Sequence, residues 1–138
     1  MSRAASEELI RHFFEAFNAA DVHAMLACLS EDVVLDPNQQ SRLIGLERFR
    51  WHLAERARHF DERAEDLAVM CDEAGLRAAA EYTLRGTYRS SAEGLPAATG
   101  QRYAISAGSF FEIDDDRLIA RVSSFFSLPA LTEQLARR

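Results

Sequence analysis

"AAAEYTLRGTY", residues Ala78 to Tyr88, decides the fold. Ala80, Tyr82, Leu84, Gly86 and Tyr88 fall on one side, and Glu81, Thr83, Arg85 and Thr87 on the other. That strict alternation marks a β-strand with one buried face. The same period returns downstream, where Tyr103, Ile105, Ala107, Ser109, Phe111 and Ile113 share a face. Upstream, residues 65–71 read as a strand that "EAG" (Glu73 to Gly75) turns into a hairpin with the first. "DDD" (Asp114 to Asp116) is the next turn, Ile119 to Leu128 the last long strand, and a short helix follows Pro129.

Before this run the period is helical. In residues 5–19, Leu9, Ile10, Phe13, Phe14 and Phe17 make one wide apolar stripe, with Ser6 as the expected N-cap. Asp21 caps a second short helix carrying Met25, Leu26 and Leu29. Val33, Val34 and Leu35 then form a strand that ends at Asp36. A loop leads to Gly45, and Leu46, Phe49, Leu53, Ala57 and Phe60 lie in register on a third helix. Helices first and long antiparallel strands after them give an α+β plan, in which three N-terminal helices pack on one face of a strongly curved, mostly antiparallel sheet. Such a sheet twists, and the helices close a cone over a pocket. One domain spanning 1–138 is expected from the length.

Composition narrows the function. The net charge of −6 and the lack of any basic run leave no footprint for nucleic acid. All 16 basic residues are arginine, a bias of composition rather than a site. Cys28 and Cys71 lack metal or CxxC spacing and read as free thiols in a reducing compartment. The N-terminus lacks the long apolar run of a signal peptide, and no stretch approaches the ~18 apolar residues of a membrane span. A cytoplasmic protein is expected, with no membrane partner. His12, His23, His52 and His59 have no H-x-x-x-H spacing, so no metal is expected. No phosphate loop or nucleophile elbow occurs, and no cofactor is implied.

Three segments carry a family resemblance: "DPNQ" (Asp36 to Gln39), "EGLPAATGQRY" (Glu93 to Tyr103) and "GSFFEI" (Gly108 to Ile113). From about Leu9 to Leu135 the chain resembles the SnoaL-like, ketosteroid isomerase-related branch of the nuclear transport factor 2-like superfamily. The resemblance implies the cone fold, a pocket, and acid–base chemistry without a cofactor. In ketosteroid isomerases a general-base aspartate precedes a proline at the end of the first strand, and Asp36-Pro37 falls on that position. Those enzymes also use a tyrosine and a protonated aspartate as an oxyanion hole. Here the helix position is Phe13, which cannot donate, and the strand position is Ser109, or Gly108 if the register slips by one. One lost oxyanion donor costs ~3–4 kcal/mol of transition-state stabilisation, so a true steroid isomerase is not expected.

Asp36 is the catalytic candidate on this reading. As a base it needs an apolar wall, which Phe13, Phe17, Phe111 and Phe126 would supply. As an ordinary residue before proline, it would form an Asx turn. Asn38 and Gln39 beside it would bind a carbonyl or hydroxyl. Tyr82, Tyr88 and Tyr103 on the inward sheet face would line the pocket, with Ser109 and Ser124 as its small polar positions. Glu65 and Asp66 read first as a solvated strand end, the alternative being that one of them points inward as a second carboxylate. Phe110 and Phe125 replace charges on the outer face and imply a homodimer, as relatives of this fold form. The expected function is a cofactor-independent isomerase, dehydratase or cyclase acting on a small apolar molecule with a carbonyl or hydroxyl. The alternative is a dimeric protein of the same fold that binds such a molecule without turnover; an interaction scaffold ranks third.

Overall fold

The structure, a computed structural model, describes residues 2–137. Helices α1 (Arg3–Asn18) and α2 (Val22–Ala27) precede strand β1 (Leu29–Pro37), the short β2 (Leu43–Ile44) and helix α3 (Leu46–His59). Strands β3 (Phe60–Cys71), β4 (Arg77–Tyr88), β5 (Arg102–Ile113) and β6 (Ile119–Phe126) follow, and α4 (Leu128–Leu135) ends the fold. One six-stranded sheet runs in the order β2-β1-β6-β5-β4-β3, antiparallel except where β1 lies parallel to β6. The sheet is open, and α1 to α3 cover its inner face.

Aromatic residues hold the helices to that face. Phe13 meets Phe14, Phe49 of α3 and Phe111 of β5 edge-on, at ring separations of 5.7, 6.4 and 6.1 Å. Such contacts add about 0.5–1.5 kcal/mol each beyond area burial. Asn18 then fixes the end of α1 to β3, donating to the Ala64 carbonyl (2.9 Å) and accepting from its amide (2.8 Å). A second cluster, centred on Phe60, Tyr88, Tyr103 and Leu131, packs under α4. The Gln134 amide pairs with both backbone groups of Ala104, docking α4 on β5.

Several boundaries differ from the sequence reading. The N-cap of α1 is Ser2, while Ser6 is buried inside the helix and donates to the Gly75 carbonyl at 2.6 Å. Gly75 has φ +72°, and a Cβ there would press on the Ser2 carbonyl, so the hairpin turn requires glycine. Asp21 does cap α2, accepting from the Ala24 amide. Helix α3 stops at His59, and Phe60 already belongs to a twelve-residue β3. Helix α4 starts at Leu128, so β6 is shorter than read. The 89–101 loop packs its Ala92, Leu95 and Ala98 on the second cluster rather than over the inner-face cavity, so it is no lid for that cavity.

A bulge in β3 has the largest consequence. Glu65 pairs with Thr83 and Ala68 with Glu81, so the register shifts between them, with Asp66 at φ +55°. The bulge inverts parity. Phe60, Glu62 and Ala64 face inward before it, and Leu67, Val69 and Cys71 after it. Neither Glu65, which pairs with Arg85 at the surface, nor the exposed Asp66 is the inward carboxylate. That residue is Glu62.

Candidate functional site

Between the helices and the inner sheet face lies a cavity of about 180 Å³. Its wall is mostly apolar, with Phe13, Phe14, Phe17, Phe49, Leu53 and Phe126 among the lining residues. The polar lining comes from two groups. One is His52 and Arg56 on α3 with Glu62 on β3; the other is Tyr82, Ser109 and Ser124 on the sheet. Asn38 and Gln40, on the turn after β1, complete it.

Strand pairing builds the first group. Glu62 lies opposite Gly86, and Gly86 opposite Tyr103. With no side chain on the middle residue, the Tyr103 hydroxyl crosses over it and donates to Glu62 Oε2 at 2.6 Å. Arg56 reaches the same carboxylate from the last turn of α3, with Nε on Oε1 at 2.7 Å and Nη2 on Oε2 at 3.1 Å. Its guanidinium carbon lies 4.1 Å from the Phe60 ring centre and 5.2 Å from that of Phe126. Only 6% of the Glu62 side chain and 23% of that of Arg56 are exposed. Burial opposes the Arg56 charge, but the Glu62 carboxylate more than offsets it, and the guanidinium stays a cation. Burial, then Glu62, pushes the Tyr103 hydroxyl far up, so it remains a donor. His52 is pushed below its ordinary value of 6.5, first by burial and then by Arg56. It therefore faces the cavity as neutral imidazole near pH 7.

In the second group, Tyr82 Oη lies 2.9 Å from Ser109 Oγ, which lies 3.1 Å from Ser124 Oγ. Burial raises the Tyr82 hydroxyl above its usual range. Asn38 ties the turn to β6, its amide donating to the Ser124 carbonyl and its Oδ1 accepting from the Phe126 amide, both at 2.9 Å. Its φ of +46° is of the kind asparagine tolerates best.

The expected base is displaced. On β1, Leu35 and Pro37 line the cavity, so Asp36 between them points to the outer face. There it accepts from Arg42 at 2.7 and 3.1 Å and from Ser123 Oγ at 2.7 Å. The Arg42 hydrogen bonds hold its carboxyl below the ordinary 3.8, with burial opposing and Ser123 assisting. A carboxylate so paired is a poor base, and Asp36 lies outside the cavity lining, on the wrong face of β1 to act there. Carboxyl-carbon NMR titration is expected to place Asp36 below 3.8. Because Arg42 is 56% exposed, Asp36→Asn is expected to cost no more than about 1 kcal/mol in denaturant unfolding.

The other expected residues divide by depth. Phe13, Phe17, Asn38, Tyr82, Ser109, Ser124 and Phe126 line the cavity. Gln39 does not, and its neighbour Gln40 does. Phe111 is fully buried behind the wall. Tyr88 lies in the second cluster, its hydroxyl donating to the Pro96 carbonyl at 2.7 Å and accepting from the Ala92 amide. Tyr103 acts on the site through Glu62. His52, Arg56 and Glu62 were missed as a group. Among the described residues, no three His, Cys, Asp or Glu side chains group to hold a metal ion, and no helix is long and apolar enough to cross a membrane.

The SnoaL-like domain family matches residues 10–122 of this sequence. The chain belongs to the SnoaL-like family. A Pseudomonas putida protein provisionally described as a polyketide cyclase is 44% identical, over 95% of this chain and 98% of its own, with a TM-score of 0.91. A Xanthomonas campestris protein of the same provisional description is 37% identical, over 97% and 98%, with a TM-score of 0.94. A nuclear transport factor 2-like protein from Burkholderia xenovorans, 14% identical over 98% of both chains with a TM-score of 0.76, shares the fold alone. No curated protein matches. This SnoaL-like chain thus has the expected cone, a nuclear transport factor 2-like α+β fold, with four helices where three were read before the sheet and one after it.

Gly86 is the position on which the first group depends. A Cβ there would lie 2.7 Å from Tyr103 Cζ and 2.8 Å from the Asp61 carbonyl. Glycine in a strand interior ordinarily costs about 0.5–1 kcal/mol against alanine. Gly86→Ala is expected to reverse that sign and lose about 1–3 kcal/mol by overpacking. Denaturant unfolding measures the loss, and a gain in stability would mean that Tyr103 does not need the gap.

Proposed function

We propose that this SnoaL-like protein is a cofactor-independent acid–base enzyme acting on a small, uncharged, largely apolar molecule with an enolisable carbonyl. The supporting observation is neutral His52 facing a mostly apolar cavity beside a fixed Arg56 cation. His52 takes a proton from the carbon next to the carbonyl. Glu62 holds the Arg56 guanidinium through two of its nitrogens, and the cation so fixed in the cavity lining stabilises the enolate oxygen, the most demanding part of such a step. The returning proton completes an isomerisation; attack of the enolate carbon on a second carbonyl of the same molecule closes a ring, the alkoxide so formed taking up the proton that His52 removed. The provisional cyclase description of the 37% and 44% identical neighbours is in keeping with the second outcome.

The cavity favours small substrates. At about 180 Å³ it falls below the roughly 300–1,000 Å³ of drug-sized sites, so one- or two-ring compounds suit it. The test uses 2-indanone in deuterated buffer, with exchange of its α-hydrogens followed by proton NMR. Acceleration over buffer that His52→Gln removes supports the enzyme. Tight binding with no acceleration would instead identify a carrier.

A homodimer through the outer face belongs to the same reading. Phe110 and Phe125 stack edge-on there at 5.8 Å, with Phe110 51% exposed. Light scattering is expected to give twice the mass of one chain, and Phe110→Glu to reduce it to one.

A further inference from the structure

Two polar groups face this cavity, and the reaction above uses only one. The other is the row of hydroxyls from Tyr82 on β4 through Ser109 on β5 to Ser124 on β6. We propose that this row is a reversible oxygen-binding subsite, able to hold a ligand oxygen as carbonyl or as hydroxyl. The inference rests on the cavity being the ligand site.

The argument is one of proton counting. Three hydroxyls carry three protons, and the two bonds between neighbours consume two. Either atom can be the donor in each bond. If the bonds run from Tyr82 to Ser124, the proton not used in them lies at Ser124 and a free lone pair at Tyr82. If they run the other way, the ends exchange roles. Ser124 also neighbours the Tyr82 hydroxyl, so a ligand oxygen between the two ends can meet both. Turning three hydroxyls about their C–O bonds is enough for the exchange, with no change in ionisation.

No other protein group among the described residues bonds these hydroxyls, although Ser109 is only 3% exposed. The row opens on the cavity, and hydroxyls that both donate and accept keep capacity for a ligand oxygen beyond their own two bonds. Burial keeps Tyr82 protonated, so the row binds as a neutral dipole and does not ionise. Arg56 is different in kind. A guanidinium only donates, so it favours carbonyl or enolate oxygen over hydroxyl. The row has no such preference. A ligand with two oxygens can then set one on Arg56 and the other on the row. The second keeps its hydrogen bond as carbonyl turns to hydroxyl, as it does in ring closure.

Three isosteric probes separate the two groups: 2-indanone, 2-indanol and indane, titrated by amide chemical shift. The intact protein is expected to bind ketone and alcohol within about threefold of each other, and both about three- to tenfold more tightly than indane. In Ser109→Ala and Tyr82→Phe, each folded by its amide spectrum, 2-indanol is expected to lose at least half of its advantage over indane. The ketone keeps part of its advantage through Arg56. An alcohol advantage unchanged in both variants would overturn the subsite while leaving the α-exchange chemistry of His52 untouched. Failure of all three probes to bind would overturn the cavity reading and the subsite together. Absence of exchange with the alcohol's advantage over indane present in the intact protein and reduced in the variants would overturn only the proposed base and support the subsite.

Discussion

Glu62→Leu is expected to destabilise the protein by about 3–5 kcal/mol, the largest single loss outside the hydrophobic core. The substitution is nearly isosteric and adds apolar surface, so area burial alone predicts a gain. The loss comes from what remains behind. Arg56 holds its charge against burial because Glu62 lies 2.7 Å away, and Tyr103 loses its acceptor in the same step. An uncompensated buried cation and an unsatisfied hydroxyl each cost more than the pair contributes. For a chain of this size the loss lowers the thermal midpoint by roughly 10–20 °C. Adding Arg56→Met to Glu62→Leu is expected to recover most of it, because an apolar pair of similar volume is often as stable as a buried ion pair. Equal losses in the single and double variants would mean that Glu62 acts by some route other than Arg56. The double variant also separates stability from chemistry: it is expected to fold and to have lost the enolate-stabilising cation.

This pair shows where sequence reading stopped. The helical stripe of α1 and the alternation of β4 and β5 were legible because one element buries one face throughout. Tyr82, Ser109 and Ser124 were placed on the inner face for that reason. Glu62 was hidden twice. Phe60 matches the apolar register of α3, so the strand read as starting at residue 65, beyond Glu62. The bulge at Asp66 then shifts parity, so counting back from Val69 puts the wrong residues inside. A signal existed in Gly86, a glycine inside an alternating strand, which marks close approach of a neighbour. Asp36 failed differently. Its strand was right, but Leu35 and Pro37 are the buried positions, so alternation sends the residue between them outward. Depth was the remaining gap. Periodicity shows which face Tyr88 and Phe111 are on, but whether a residue touches a cavity or the packing behind it depends on contacts between distant segments.

His52 carries the largest expected effect on activity. Its replacement by glutamine keeps a polar side chain on α3 and removes the proton acceptor, and a positioned general base contributes about 10²–10⁴-fold. The α-exchange of 2-indanone is expected to fall by that range with the fold retained. The pH profile provides an independent check. Only neutral imidazole accepts a proton, so the rate rises through the His52 pKa and is flat above it. Burial holds that pKa below 6.5, so the midpoint lies on the acid side of 6.5 and the rate is full at neutrality. Stability follows the same group. Between the two pKa values the unfolded chain binds the His52 proton and the folded chain does not, so stability falls as pH drops through that window and is unaffected above it. Arg56 lowers this pKa and Glu62 raises it, both less than burial does, so the double variant is expected to keep an acid-side stability midpoint. A midpoint at or above 6.5 in the intact protein would mean that His52 is solvated, and a base elsewhere would be needed. If His52→Gln loses both the exchange and the acid-side stability slope, one buried imidazole accounts for the chemistry and for its pH range.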